Sequence, residues 1–284
     1  MVIAIFANSY RADTMREVKR IVEFLRSKGI HVVLSRELHH EPWGREFPSV
    51  TEYENQDENR IDFAISLGGD GTFLTTASLI GHLDVPILGI NCGHLGFLSE
   101  VKVEHAEEIL EQLINQQYTI EQRTMLEVST NASDKILFPL ALNEVAVLKQ
   151  GLSSMISVET YLNGEFLHTY KADGLLLATP TGSTAYNLSV GGPLLDPHAR
   201  AFVLSPVATH SLSVRPLVIP DDCKIDLKIA SRNGNYMISI DGRSQVFDDS
   251  VVLHIERSMR TIKLVQVNGH SFVRSLKDKL YWGK

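Results

Sequence analysis

The sequence predicts an α/β N-terminal domain built on a parallel sheet, followed by a mainly β C-terminal domain. Three observations carry this expectation. Through the first third, short apolar runs alternate with helical patterns, the rhythm of a parallel sheet flanked by helices. From about Ile120 the runs become closely spaced and β-like. Asn-Gly pairs at 163–164 and 233–234 sit between such runs and mark antiparallel hairpins, the second in a slightly longer turn. The expected boundaries are 1–119 for the α/β domain, 120–264 for the β domain and 265–284 for a C-terminal segment.

Taken in order, VIAIF at 2–6 reads as a buried strand. Thr14 to Ser27 is amphipathic, with Val18, Ile21, Val22 and Leu25 on one face, and Gly29 closes that helix as a C-terminal cap. HVVLS at 31–35 is a second strand. The polar stretch from Arg36 to Arg60 carries Pro42, Trp43 and Pro48, has no period, and reads as a long surface loop. Strands recur at IDFAISLG (61–68) and VPILGIN (85–91), and a helix fits Glu104 to Gln117. The second half runs through TMLEVST, LFPLALNEVAVLK, SMISVETYLNG, LLLATP, CKIDLKIAS, YMISIDGRS, SVVLHIER and TIKLVQV. The tail SFVRSLKDKLYWGK is helical in pattern and basic.

Composition narrows the function classes. With 44% hydrophobic and 21% charged positions, the 284 residues have globular proportions. No apolar run approaches the roughly 20 residues that span a bilayer, and the start has no basic leader. A net charge of −7 without a basic patch argues against nucleic acid as a partner. Cys92 and Cys223 lack ligand spacing, which disfavours disulfides and structural zinc and fits a reducing cytoplasm. An anionic substrate would need backbone N–H donors or a divalent cation to offset the field.

Three segments are written for chemistry. Gly68-Gly69-Asp70-Gly71-Thr72 directly follows an apolar strand. Paired glycines there let a phosphate or sugar approach closely, Thr72 is placed to cap the next helix, and Asp70 can accept a hydroxyl proton or hold a metal. The plainer alternative is a tight turn in which Asp70 satisfies a backbone donor. Asn91-Cys92-Gly93-His94-Leu95-Gly96-Phe97 follows the next strand, which puts two glycine-rich loops at one sheet edge; Phe97 suits a base or the core, His94 a turn or a contact. Asp173 to Tyr186 runs through LLLATPTGSTAY, whose hydroxyls would form a neutral polar cup for a ribose, amide or phosphate. No G-x-S-x-G elbow supports a nucleophilic serine. Asn143 and Glu144 point to opposite faces of a regular strand, so both reach one ligand only at a strand end or bulge. Asp241 in ISIDG is a smaller signal, and His39-His40 beside Glu41, lacking partner spacing, reads as a solvated loop.

Together GGDGT at 68–72, NCGHLGF at 91–97, LNEVAV at 142–147, KADGLLLATPTGSTAYNLSVGGPLL at 171–195 and HSLSVRPLV at 210–218 resemble the bacterial NAD kinases, in order along nearly the whole chain. GGDG alone also resembles diacylglycerol and sphingosine kinases and phosphofructokinases; the set is specific. The resemblance implies a doubly wound N-terminal domain, a β-sandwich-like C-terminal domain, and a final segment returning to the first. It implies phosphorylation of the 2′-hydroxyl of NAD's adenosine ribose by ATP or another donor with a divalent metal, Mg²⁺, in a homodimer or homotetramer. It makes Asp70 the base, with Gly71 and Phe97 beside the adenosine half and Asn143 and Glu144 on the ribose hydroxyls or adenine. Asp173, Thr184, Ala185, Tyr186 and Ser189 would line the nicotinamide side, with Gly69, Lys171, Asn187, Leu188, Ala208 and Gln245 also carried over as binding residues. Leu98 stands where the family often has a second aromatic.

Two rivals follow from the same residues. A lipid kinase would share GGDGT, but the acidic balance and lack of a basic amphipathic helix oppose it. A non-catalytic NAD-sensing module would keep the pocket, but an intact GGDGT loop disfavours that.

Overall fold

In the N-terminal third, apolar runs of four to six residues become parallel strands separated by helices. A computed structural model describes residues 1–8, 12–41, 43, 51–53, 61–93, 96–131, 136–151, 154–267 and 271–280. The order begins β1 (Val2–Ala7), α1 (Ala12–Ser27), β2 (His31–Leu34), α2 (Arg36–His39), β3 (Thr51–Glu52), β4 (Phe63–Leu67), α3 (Asp70–Ile80), β5 (Ile87–Asn91), β6 (Val101–Lys102) and α4 (Ala106–Ile114). It continues with β7 (Thr119–Thr130), β8 (Leu140–Ala141), β9 (Glu144–Leu148), β10 (Ile156–Leu162), β11 (Glu165–Ala172), β12 (Gly174–Ala178) and α5 (Tyr186–Ser189). Then follow β13 (Ala201–Val207), β14 (Leu217–Pro220), β15 (Ile225–Ala230), β16 (Asn235–Ile240), β17 (Arg243–Asp248), β18 (Leu253–Gln266) and α6 (Phe272–Leu280). The chain divides into one unit of Met1–Gln122 with Ile262–Lys284 and another of Arg123–Thr261.

In the first unit the parallel order is β3-β2-β1-β4-β5. The order reverses between β1 and β4, and ligands of such sheets bind at the strand ends beside that reversal. The GGDGT loop leaves β4 there. α1 buries Val18, Ile21, Val22 and Leu25 completely, as its apolar stripe predicts. Gly29 ends it with φ +73°, its amide on the Arg26 carbonyl and the Ile30 amide on that of Leu25, the paired bonds of a left-handed helix stop. The expected loop at 36–60 is corrected where it is described. It holds the short helix α2 and the strand β3, with Leu38 buried and Tyr53 edge-on to Phe6 at 5.3 Å. A single buried residue per element is too few to write a period. Pro42, Pro48 and most of the remaining segment lie outside the described residues.

The second unit is a sandwich. One sheet runs β14-β13-β12-β9-β16-β17, and β11, β10, β15 and the first half of β18 pair in the other. Alternate residues of both meet in one core: Val145 and Val147, Leu175 and Leu177, Phe202 and Leu204 from the first; Ile156 and Val158, Leu227 and Ile229, Leu253 and Ile255 from the second. The outward Leu176 and Ala178 are also covered, with Leu195 packed on them, so LLLA reads as a continuous apolar run.

The Asn163-Gly164 turn joins β10 to β11 with φ +52° and +82°, as expected. The hairpin expected at Asn233-Gly234 is overturned. β15 and β16 belong to different sheets, so that turn is a crossover, and the true hairpin is Asp241-Gly242 (φ +47° and +80°), which pairs Ile240 with Arg243. Asp-Gly supplies the same left-handed pair of residues as Asn-Gly. Among the described residues no helix is long and apolar enough to cross a membrane.

Candidate active site

All five residues of β4 are buried, and the chain turns out of it at Gly68. A Cβ on Gly68, at φ +153°, would stand 2.3 Å from Thr72 Oγ1. Gly69 occupies the N-cap of α3 and Thr72 lies inside its first turn, so the expected capping by Thr72 is corrected. Asp70 opens the helix, where a carboxylate is favoured by the helix dipole. Its Oδ2 accepts the Phe97 amide at 2.7 Å, and its Oδ1 accepts the amides of Leu98 and Ser99, each at 3.0 Å. Asp70 thus satisfies three backbone donors, but from a helix start and with all three in the second glycine-rich loop, where the plain reading has a tight turn. Each oxygen of a carboxylate offers about two acceptor sites; Oδ1 is filled and Oδ2 keeps one.

The second loop is shaped around that carboxylate. A Cβ on Gly96 would lie 1.9 Å from Asp70 Oδ1, and one on Gly89 would lie 2.6 Å from the Leu98 carbonyl. Asn91 Oδ1 accepts the Gly93 amide at 2.6 Å. His94 lies outside the described residues. Leu98 is buried and contributes its amide. By contrast, Gly69 and Gly71 are exposed, and nothing lies within 4 Å of where their Cβ atoms would stand.

Sequence reasoning missed Lys279. On α6, its Nζ sits 4.4 Å from the Phe97 ring centroid and 3.6 Å from Glu100 Oε1. Ser275 Oγ donates to the same Glu100 oxygen. The lysine side chain is 7% exposed and its ammonium has no hydrogen-bond partner. Burial lowers its pKa, against the carboxylates of Glu100, Asp70 and Asp278, which raise it. One lysine of an amphipathic, basic tail gives no signal of its own; only the fold shows which one is buried.

In the second unit a matching clamp is built by Asp241. From its left-handed hairpin position, Oδ2 accepts the Leu142 amide at 2.7 Å and Oδ1 those of Asn143 and Glu144 at 2.9 and 3.0 Å. This breaks the run LFPLALNEVAVLK into β8 and β9, so Asn143 and Glu144 stand at a strand end, the condition for their acting together. The end of β12 closes over them. Thr179 Oγ1 donates to the Leu142 carbonyl, the Thr179 amide bonds the Asn143 carbonyl, and a Cβ on Gly182 would stand 2.0 Å from that carbonyl oxygen. Burial, then the Asp241 charge, pushes the Glu144 carboxyl up to about 7, opposed by the Tyr186 amide. Glu144 Oε2 is buried without a partner, an acceptor that a ligand donor would satisfy. Burial raises Asp241 too, against its three amides and the Arg243 charge.

The expected cup of hydroxyls is corrected. Thr179 and Ser183 are fully buried and bonded within the protein, Ser183 to both polar atoms of the Leu195 backbone. Thr181 is 6% exposed, with Arg123 at 3.4 Å, and Thr184 donates to the Thr181 carbonyl. These hydroxyls fold the loop on itself because its backbone, twisted into a tight turn, leaves carbonyls that need donors. Asn187 is buried likewise, its amide on the Pro193 carbonyl and its oxygen on Ser205. Ala185 and Leu188 are half-buried, and Tyr186 and Ser189 are exposed. Asp173 pairs with Lys149 at 2.8 Å, beside exposed Lys171, whose carbonyl accepts the His210 amide, and Ala208 at φ +46°. This group sits at the start of β12, whereas Asn143, Glu144 and Tyr186 gather at its end, about 17 Å along a five-residue strand. Gln245, on β17, accepts the Leu137 amide at 3.3 Å.

Comparison with known proteins agrees along the whole chain. Residues 3–118 match the family model of the ATP-NAD kinase N-terminal domain, and residues 142–267 that of its C-terminal domain. A NAD kinase of Bacteroides fragilis is 43% identical over 285 residues, covering 100% of this chain and 98% of the relative. One of Flavobacterium johnsoniae is 40% identical, covering 100% and 99%. Among solved structures, yeast NADH kinase complexed with NADH is similar at a TM-score of 0.91 with 27% identity, covering 100% of this chain and 88% of that one. A NAD kinase from Archaeoglobus fulgidus in complex with ATP is similar at 0.73 with 29% identity, covering 94% of each.

Proposed function

The chain belongs to the NAD kinase family, and from that premise we propose that it transfers the terminal phosphoryl group of ATP to the 2′-hydroxyl of NAD's adenosine ribose, giving NADP. The observation that carries this reading is the pair of bare glycines flanking Asp70. Gly68 must be glycine because of Thr72, and Gly96 because of Asp70; Gly69 and Gly71 face open space without a positive φ. Among the described residues of their own unit nothing asks for glycine there. A ligand backbone or phosphate approaching the start of α3 does.

Asp70 is the base in this reading. A ribose hydroxyl is too weak an acid to ionise at neutral pH, so a carboxylate that takes its proton as the bond to phosphorus forms lowers the barrier. The acceptor site left on Oδ2 is the one that serves. The transition state is loose, so alignment and charge neutralisation do most of the work. ATP arrives as its Mg²⁺ complex, the metal being part of the substrate; a carboxylate already engaged by three amides fits that better than a metal held by Asp70.

Asn143 and Glu144 hold ribose hydroxyls or adenine, and the partnerless Glu144 Oε2 supports this role. Asp173, Thr184, Ala185, Tyr186 and Ser189, with Lys171, are assigned to the nicotinamide side; Asn187 and Leu188 belong to the same loop, which the buried Asn187 holds through Pro193 and Ser205. The enzyme acts as a homodimer or homotetramer, and a second copy would supply the start of one β12 to the end of another. It works in the cytoplasm, where thiols such as Cys92 and Cys223 stay reduced.

The test is incubation of purified protein with NAD, ATP and Mg²⁺, read by an NADP-specific enzyme. NADP formed by the wild type supports the assignment; its absence from folded protein that binds NAD sinks it.

A further inference from the structure

The sequence places His39 and His40 side by side, and the fold supplies the third member that the sequence does not show. His40 follows the last turn of α2, and Glu52 lies on β3 beside it. Glu52 Oε2 stands 3.4 Å from His39 Nδ1 and 3.3 Å from His40 Nε2, and all three atoms lie within 4.8 Å of one another.

Two features separate this cluster from an ordinary surface ion pair. First, His39 Nδ1 is buried and makes no hydrogen bond, although it faces a carboxylate oxygen; a buried imidazole nitrogen normally has a partner. Second, the spacings suit ligands of one ion. Four-coordinate zinc bonds imidazole nitrogen and carboxylate oxygen at about 2.0–2.1 Å, which puts neighbouring ligand atoms of a tetrahedron about 3.3–3.4 Å apart. Two edges already have that length, and a small side-chain rotation closes the third. The other carboxylate oxygen, Oε1, is held by Arg36 Nε at 2.8 Å. That bond turns Oε2 toward the imidazoles, as outer hydrogen bonds orient metal ligands, while the guanidinium charge weakens attraction for a cation.

We propose that His39, His40 and Glu52 form a site for a borderline divalent transition ion of the zinc type, completed by water. The donor set of two neutral imidazoles and one carboxylate excludes soft thiophilic ions and is too poor in oxygen for Mg²⁺ or Ca²⁺. The ion would clip α2 to β3 and tie both ends of the 41–51 connection, so its effect is on stability. It shares no residue with the proposed kinase site.

The experiment uses the full chain without a polyhistidine tag, stripped by chelator. Co²⁺ is titrated in as the spectroscopic probe, Zn²⁺ is used to displace it, and thermal unfolding is followed with and without Zn²⁺. One Co²⁺ per chain with the visible absorption of a four-coordinate ion, displaced by Zn²⁺, is expected, together with a Zn²⁺-dependent rise in Tm. Glu52→Gln and His39→Gln should weaken binding at least about tenfold. His40→Gln, at a more exposed side chain, gives the same loss if either of those variants fails to fold, with NADP formation unchanged. Absence of Co²⁺ binding, or binding undiminished in the His39→Gln/His40→Gln double variant, overturns the site.

Discussion

Gly96 leaves to Asp70 the space its own side chain would take: a Cβ there would stand 1.9 Å from Asp70 Oδ1. Gly96→Ala therefore has to push the carboxylate or the 97–99 loop away. A misplacement of about 1 Å at a reacting group costs about 10²-fold in rate. The expected result is a kcat/KM for NADP formation lower by about that factor, with the circular dichroism of the fold retained. Unchanged kinetics would mean that the carboxylate's position is immaterial.

Asp70→Asn keeps the size of the side chain but replaces an acceptor oxygen with an NH₂ that faces amide donors. Loss of a general base costs about 10²–10⁴ in rate, and the disturbed charge-assisted bonds about 2 kcal/mol of stability. NADP assays, NAD calorimetry and urea unfolding separate the two effects. Full turnover in a folded variant removes Asp70 from the mechanism.

Glu144 titrates near 7 in the fold against an ordinary 4.5. The folded chain therefore binds a proton through that window that the unfolded chain has lost, so stability falls as pH rises from about 4.5 to 7 and stays low above it. The full penalty is about 3 kcal/mol. Glu144→Gln cannot ionise and should be more stable than wild type at pH 8 but not at pH 4. Urea midpoints at the two values check this; parallel wild-type and variant curves contradict it.

Lys279→Met retains the apolar stem over Phe97 but takes the opposite charge away from the mostly buried Glu100, which keeps the Ser275 hydroxyl. Breaking a buried pair on one side costs about 3 kcal/mol, much of it from the charge left behind. The double change Lys279→Met/Glu100→Gln should recover most of that loss, a coupling measurable by a double-mutant cycle. Simple additivity of the two single changes would show that the pair does not interact.

What the sequence revealed and what it concealed divide along physical lines. Periodicity and turn chemistry are local, so α1, the Gly29 stop, β4 and the Asn163-Gly164 hairpin could be read directly. Contacts at long separation could not. Asp70 bonds amides 27 to 29 residues away, and Asp241 bonds amides 97 to 99 away; no window of sequence contains both ends. Residue type also misled where one chemistry serves two ends. The hydroxyls of TPTGST suit a ribose as well as their own backbone, and the backbone claimed them. Asp-Gly at 241–242 carried a hairpin signal equal to that of Asn233-Gly234, and only strand pairing distinguishes them.

Asp70 and Asp241 each gather three consecutive amides, and such a row of N–H groups is a receptor for a negative ion. Here the ion is covalently attached to the chain that receives it. Both loops thus have their shape before any nucleotide arrives, and the entropy of ordering them is spent during folding. The carboxylate that fills each row is present at full occupancy in every molecule, so neither row of amides is left open to a ligand's anion.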